Sequence, residues 1–116
     1  MKYFTLDEFD CPSLPNSGKN MDSSFLAKLE EAREIAGIPF KITSGYRTKT
    51  HNEEVGGVPN SSHLIGVAAD IAVSGGADRY IILSALIKAG FKRIGVAKTF
   101  IHCDTDSNKS NSVWTY

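Results

Sequence analysis

The run VAADIAV, residues 67–73, constrains the fold more than any other stretch of the chain. Side chains alternate along an extended strand, so Val67, Ala69, Ile71 and Val73 share one face and Ala68, Asp70 and Ala72 the other. The first face is apolar and belongs in a core. The second is small apart from one carboxylate, and burying a carboxylate in mid-strand is unfavourable unless a partner meets it. A bound cation or an arginine would serve. The chain must fold so that one of these reaches the small face.

FIHCDT, residues 100–105, reads the same way. Phe100, His102 and Asp104 share a face, while Ile101 and Cys103 point to the apolar side. His102 and Asp104 then project together, about 6–7 Å apart along the strand. If this strand neighbours the first, Asp70, His102 and Asp104 converge, and His63 can fold back over them from the loop before Asp70. Two histidines and one aspartate with an open fourth position form the ligand set of a catalytic zinc site. The plainer alternatives are a salt-bridged or capping Asp70 and a solvated His63.

Around these strands the elements are readable. Asp22 or Ser23 caps a helix whose Phe25, Leu29, Ala32 and Ala36 recur on one face, widened by Leu26 and Ile35, until Gly37 and Pro39 stop it. Residues 77–89 form a second helix, with Ile81, Ile82, Ala85, Leu86 and Ala89 inward and Gly90 at its end. FKITS (40–44) and RIGVA (93–97) are further strands. THNEEVGGVPNSS is a short helix and then a loop, and SNKSNSVWTY is a polar tail with an aromatic anchor. The pattern predicts a single α+β domain over residues 1–116, a small, largely antiparallel sheet packed against two main helices, with the site on the sheet face.

Thirteen basic residues balance thirteen acidic ones, which leaves no electrostatic footprint for nucleic acid. The longest apolar run, YIILSALI, is too short to span a bilayer. MKYFTLDEFD has no apolar core of a signal peptide, so synthesis in the cytoplasm is expected. Cys11 and Cys103 are far apart in sequence and form no metal-binding pair, and both are expected to be free and buried. Arg47, in ITSGYRT, follows a strand and a glycine turn. There a guanidinium can hold a carboxylate or a developing oxyanion, or pair with Glu53 or Glu54 at the surface. Tyr46 is expected to pack, and His51 to be solvated.

SGYRT, HNEEVGGVPNSSH, the pattern S-x-H-x-x-G-x-A-x-D (Ser61, His63, Gly66, Ala68, Asp70) and the late FIHCD together resemble the zinc D-alanyl-D-alanine carboxypeptidases and the related L-alanyl-D-glutamate endopeptidases, from roughly Phe4 to Trp114. The resemblance implies His63, Asp70 and His102 as zinc ligands, Arg47 as the arginine that contacts substrate and steadies the transition state, and Ser61 as a substrate or supporting hydrogen bonder. Gly66 and Ala68 would keep bulk from the metal and let the chain turn in toward it. Many relatives carry an acidic general base three residues before the last histidine, but here that position is Thr99. Asp104 is the nearest acid, and two roles stay open for it: the base, or a partner that orients His102.

The implied substrate is a stem peptide or cross-link of bacterial peptidoglycan, cut by a monomeric enzyme. A phage or prophage lysin reaching the wall through a holin pore or on a virion fits that reading, and a bacterial cytosolic peptidase is a second enzyme option. A zinc-containing, peptidase-like binding module of a phage particle without catalytic activity is the reading from a different class.

Overall fold

The computed structural model describes residues 1–116. Asp22 caps the first helix, α1 (Ser23–Ala36), its carboxylate accepting the Phe25 N–H at 2.9 Å. Such a cap contributes about 1 kcal/mol relative to alanine. Gly37 ends the helix at a left-handed φ of 70°. A short helix, α2 (Lys49–Glu54), follows strand β1 (Ile42–Ser44). The second long helix, α3 (Gly76–Lys88), lies between β2 (Ala68–Ala72) and β3 (Arg93–Val96). Strands β4 (Phe100–Asp104) and β5 (Ser112–Thr115) complete the set.

The five strands form one sheet in the order β1-β2-β4-β3-β5, antiparallel throughout except for β3 and β5. Helices α1 and α3 pack on its apolar face. Phe25, Leu29, Ile82 and Leu86 meet Ala69, Ile71, Ile94, Ile101 and Cys103 in one buried cluster. The alternation expected of VAADIAV and FIHCDT therefore holds: odd-numbered residues face the helices and even-numbered ones face away. Helix–helix and helix–sheet burial drives this arrangement, because each element hides one apolar stripe against the other.

Three expectations shift. The strand expected over 40–44 is ordered as sheet only from Ile42. Ile35, expected in the inward stripe of α1, is exposed, and the buried stripe is Phe25, Leu26, Leu29 and Ala32. The polar tail contains β5, which pairs in parallel with β3 and covers what would otherwise be an open sheet edge. The polar run before VWTY hides that strand, whose aromatic and β-branched residues suit a pleated surface. No helix is long and apolar enough to cross a membrane.

Candidate metal centre

The site is built on the face of the sheet opposite the helices. Register sets its centre: Asp70 on β2 stands directly opposite His102 on β4, and Ala68 opposite Asp104. The methyl side chain of Ala68 leaves room beside the Asp104 carboxylate. His63 comes from a short 3-10 turn, Ser62–Ile65, that precedes β2. Ser61 caps that turn, its hydroxyl oxygen accepting the His63 N–H at 3.3 Å.

Gly66 closes the turn with a φ of 73°, a conformation that disfavours other residues. A Cβ there would stand 2.3 Å from the Asn20 carbonyl oxygen, so Gly66 lets the turn approach the segment before α1. The expected turning role of Gly66 thus holds, while the bulk it excludes would press on Asn20 and Met21 rather than on the His63, Asp70 and His102 donors.

His63, Asp70 and His102 converge, and one donor atom from each lies within 4.8 Å of the others. The Asp70 Oδ1 oxygen is 3.4 Å from His63 Nε2 and 2.9 Å from His102 Nδ1. All three residues are buried. Which nitrogen of each ring faces the cluster follows from its other bond. His63 Nδ1 lies 2.7 Å from the Gly45 carbonyl oxygen, which can only accept. Nδ1 therefore carries a proton, and Nε2 is the nitrogen turned toward Asp70 and the centre of the cluster. His102 Nε2 lies 2.7 Å from Asp104 Oδ2 and donates to it, which turns Nδ1 inward.

Two imidazole nitrogens and a carboxylate oxygen are a donor set suited to zinc. Corners of a tetrahedron with arms of about 2 Å lie roughly 3.3 Å apart, close to the His63–Asp70 separation of 3.4 Å. The residues fit the ion.

The charges are tightly coupled. Burial alone would push the Asp70 carboxyl up, but the bonds from His102 and His63 outweigh it and hold that carboxyl well below the usual range. Burial would lower His102, yet its bonds to Asp104 and Asp70 raise it above the ordinary histidine value. Asp104 is likewise held low despite burial, by His102, the Asp106 N–H and Arg93.

Arg47 stands at the end of β1. Its Nε donates to Ser44 Oγ at 3.0 Å, one terminal nitrogen to Asn52 Oδ1 at 3.2 Å, and the other lies 3.6 Å from Asp70 Oδ2. The surface acids Glu53 and Glu54 are not its partners. Asn52, almost fully buried on α2, also donates to the Val58 carbonyl at 2.8 Å and so ties the VGGV loop to the arginine. His51, on the same helix, stands outside the cluster. Tyr46 packs against the core, and Cys11 and Cys103 are free and buried.

Asp104 faces the far side of the His102 ring, toward Nε2 rather than the inward Nδ1. Its Oδ2 takes the His102 bond, and its Oδ1 accepts Arg93 Nε at 2.8 Å and the Asp106 N–H at 3.1 Å. Arg93 was not among the expected site residues, although alternation in RIGVA places it with Gly95 on the polar face. A second unforeseen group ties the His63 turn to the chain after β4. Ser62 Oγ donates to Asp106 Oδ2 at 2.7 Å, and Lys109 Nζ reaches Ser62 Oγ at 2.9 Å and the Asn60 carbonyl at 2.7 Å. Nothing local in the sequence announces that contact, which spans more than forty residues.

The cluster lies at a cleft of about 390 Å³, lined by Arg47, Ser61 and the glycine-rich turn 55–58 together with the aromatic Phe100, Trp114 and Tyr116. A family model described as Peptidase M15 matches residues 2–104, a span that takes in Arg47, Ser61, His63, Asp70, His102 and Asp104. Among curated proteins, none matches the chain. With three converging donors inside a match that covers most of its length, the chain belongs to the peptidase M15 family of zinc-dependent peptidases.

Proposed function

We propose that this protein is a zinc peptidase that hydrolyses a peptide bond in the stem peptides or cross-links of bacterial peptidoglycan, acting as a phage or prophage lysin. The observation that carries the hydrolase reading is the meeting of His63 Nε2, Asp70 Oδ1 and His102 Nδ1 at a cleft whose wall includes Arg47. The substrate class rests on the likeness of SGYRT, S-x-H-x-x-G-x-A-x-D and FIHCD to peptidoglycan carboxypeptidases and endopeptidases.

His63, Asp70 and His102 would hold the zinc. When bound, that ion supplies Lewis acidity for water activation and for polarising a peptide carbonyl. The chain's own groups do the rest. By accepting from the outer nitrogen of each ring, Gly45 and Asp104 turn His63 Nε2 and His102 Nδ1 inward, where each would give its lone pair to the ion. Arg47, fixed by Ser44 and Asn52, offers N–H donors at the cleft wall, where they bind a substrate carboxylate or stabilise the oxyanion of the tetrahedral state. Ser61 steadies the His63 turn and lines the cleft.

Asp104 is assigned here as the partner that orients His102, since both of its oxygens are engaged and neither faces Nδ1. That same engagement favours one second reading. Asp70 and Asp104 are the only acidic side chains lining the cleft, so a zinc-holding module without catalysis is the alternative.

Purified muropeptides digested with the zinc-loaded protein separate the two. Fragment masses showing a cleaved stem peptide or cross-link, abolished by a chelator and restored by zinc, are expected. Intact muropeptides bound by the zinc-loaded protein would replace the enzyme with the binding module.

A further inference from the structure

We propose that Trp114 is a positioning residue for His102, carried by a strand beyond the family match, and that metal affinity at the cluster depends on it; this rests on reading the cluster as a zinc site. The match ends at Asp104, and β5 begins at Ser112. Yet β5 delivers Trp114 to the centre of the site. In the β3–β5 register Trp114 stands opposite Gly95, and Gly95 in turn stands opposite His102 in the β3–β4 register. The indole lies across the backbone of Gly95, since a Cβ there would be 2.6 Å from Trp114 Nε1. No other residue at position 95 would leave the indole where it is.

From that seat the indole meets the imidazole of His102, with ring centroids 5.4 Å apart at 47°. It also receives the Arg93 guanidinium, whose Cζ lies 4.9 Å from the indole centroid. Arg93 Nε is bonded to Asp104, and Asp104 to His102 Nε2. Trp114 thus touches the ring directly and steadies the arginine that holds the ring's other partner.

The torsion that turns an imidazole is broad and has no sharp intrinsic minimum, so neighbours decide the ring angle. Asp70 and Asp104 restrain His102 within its plane; Trp114 blocks tilting out of it. Without the indole the ring sweeps a wider arc, and Nδ1 meets the metal less often in the right direction. Supporting contacts of this kind are worth roughly 10–100-fold in metal affinity.

Trp114 is the sole tryptophan of the chain, so its fluorescence reports on this one place. The test titrates metal-free protein with zinc ion alone, reading affinity by competition with a chromophoric chelator and, where the indole is present, its emission. Wild type should change emission and saturate at one equivalent. Trp114→Ala should bind about 10–100-fold more weakly, and Trp114→Phe should recover most of that loss. Gly95→Ala keeps every site side chain but pushes the indole away, and should weaken binding like Trp114→Ala. The double variant should be no worse than Trp114→Ala, because the added methyl then meets no indole.

Wild-type affinity in both Trp114→Ala and Gly95→Ala would overturn the bracing role while leaving the zinc site intact. Additive losses in the double variant would overturn it too. Wild type that takes up no zinc would instead overturn the metal reading itself. Should Trp114→Ala fail to fold, Gly95→Ala against Trp114→Phe decides the matter.

Discussion

Two arginines flank the histidine–aspartate cluster, and each reaches a carboxylate, but the two sides of the site are built differently. Arg47 is held by Ser44 and Asn52, both within five residues of it in sequence. Its remaining contact, 3.6 Å to Asp70, is loose, and it lines the cleft. Arg93 is bonded at 2.8 Å to Asp104, bonds the Ser110 carbonyl and lies under the Trp114 indole. It is committed to the protein. One side of the site leaves a guanidinium lining the cleft; the other commits its guanidinium to Asp104, the partner of His102. Identical charge at similar burial leads to different tasks, because the geometry of a guanidinium's partners decides what it has left to offer.

The comparison can be broken most severely at the centre both sides serve. His63→Ala should abolish most zinc uptake and with it turnover, measured by metal content after dialysis and by muropeptide cleavage. Full zinc retention would remove His63 as a ligand. On the Arg47 side, Arg47→Ala should leave metal content unchanged and lower turnover about 10²–10³-fold, the scale of a lost oxyanion donor. Unaltered turnover would strip Arg47 of its role.

On the Arg93 side the expected effect is smaller and falls on the metal. Asp104→Asn should weaken zinc affinity about 10–100-fold and recover turnover at saturating zinc. Collapsed turnover at full metal load would show Asp104 to be the base instead.

The smallest effect concerns the contact that ties the two halves together. Burial would raise the Asp106 carboxyl, but the bonds from Ser62, the Asn108 N–H and Lys109 hold it below its ordinary value. A carboxyl lowered on folding stabilises the native state above its unfolded pKa of about 3.9 and loses that contribution as pH falls through the folded value. The melting temperature of the wild type should therefore drop more steeply below about pH 4 than that of Asp106→Asn. Parallel melting curves in acid would show that the Ser62–Asp106 contact contributes nothing.

Much of this was legible locally. Alternation in VAADIAV and FIHCDT told which residues share a face, and Asp22 and Gly37 marked the ends of α1. The meeting of Asp70, His102 and Asp104 required only that β2 and β4 be neighbours, and they are. Arg93 could have been read from the alternation of RIGVA. Trp114 could not, because the polar run before it masks a strand whose partner, β3, lies about twenty residues upstream. Nor could Ser62, Asp106 and Lys109, which carry ordinary loop chemistry until the fold brings them together.

What the amino-acid order determined by itself was periodicity: which side chains turn inward, where helices start and stop, and that a carboxylate sits alone on a small, sheltered face. These are properties of a few consecutive residues, set by backbone geometry and local capping. Only the tertiary structure decided that Asp70 faces His102 rather than its neighbour, which nitrogen of each imidazole turns inward, and that Arg47 lines the cleft while Arg93 is bonded to Asp104. Those outcomes depend on strand register and on contacts between segments distant along the chain, where a one-residue slip would turn every side chain to the other face.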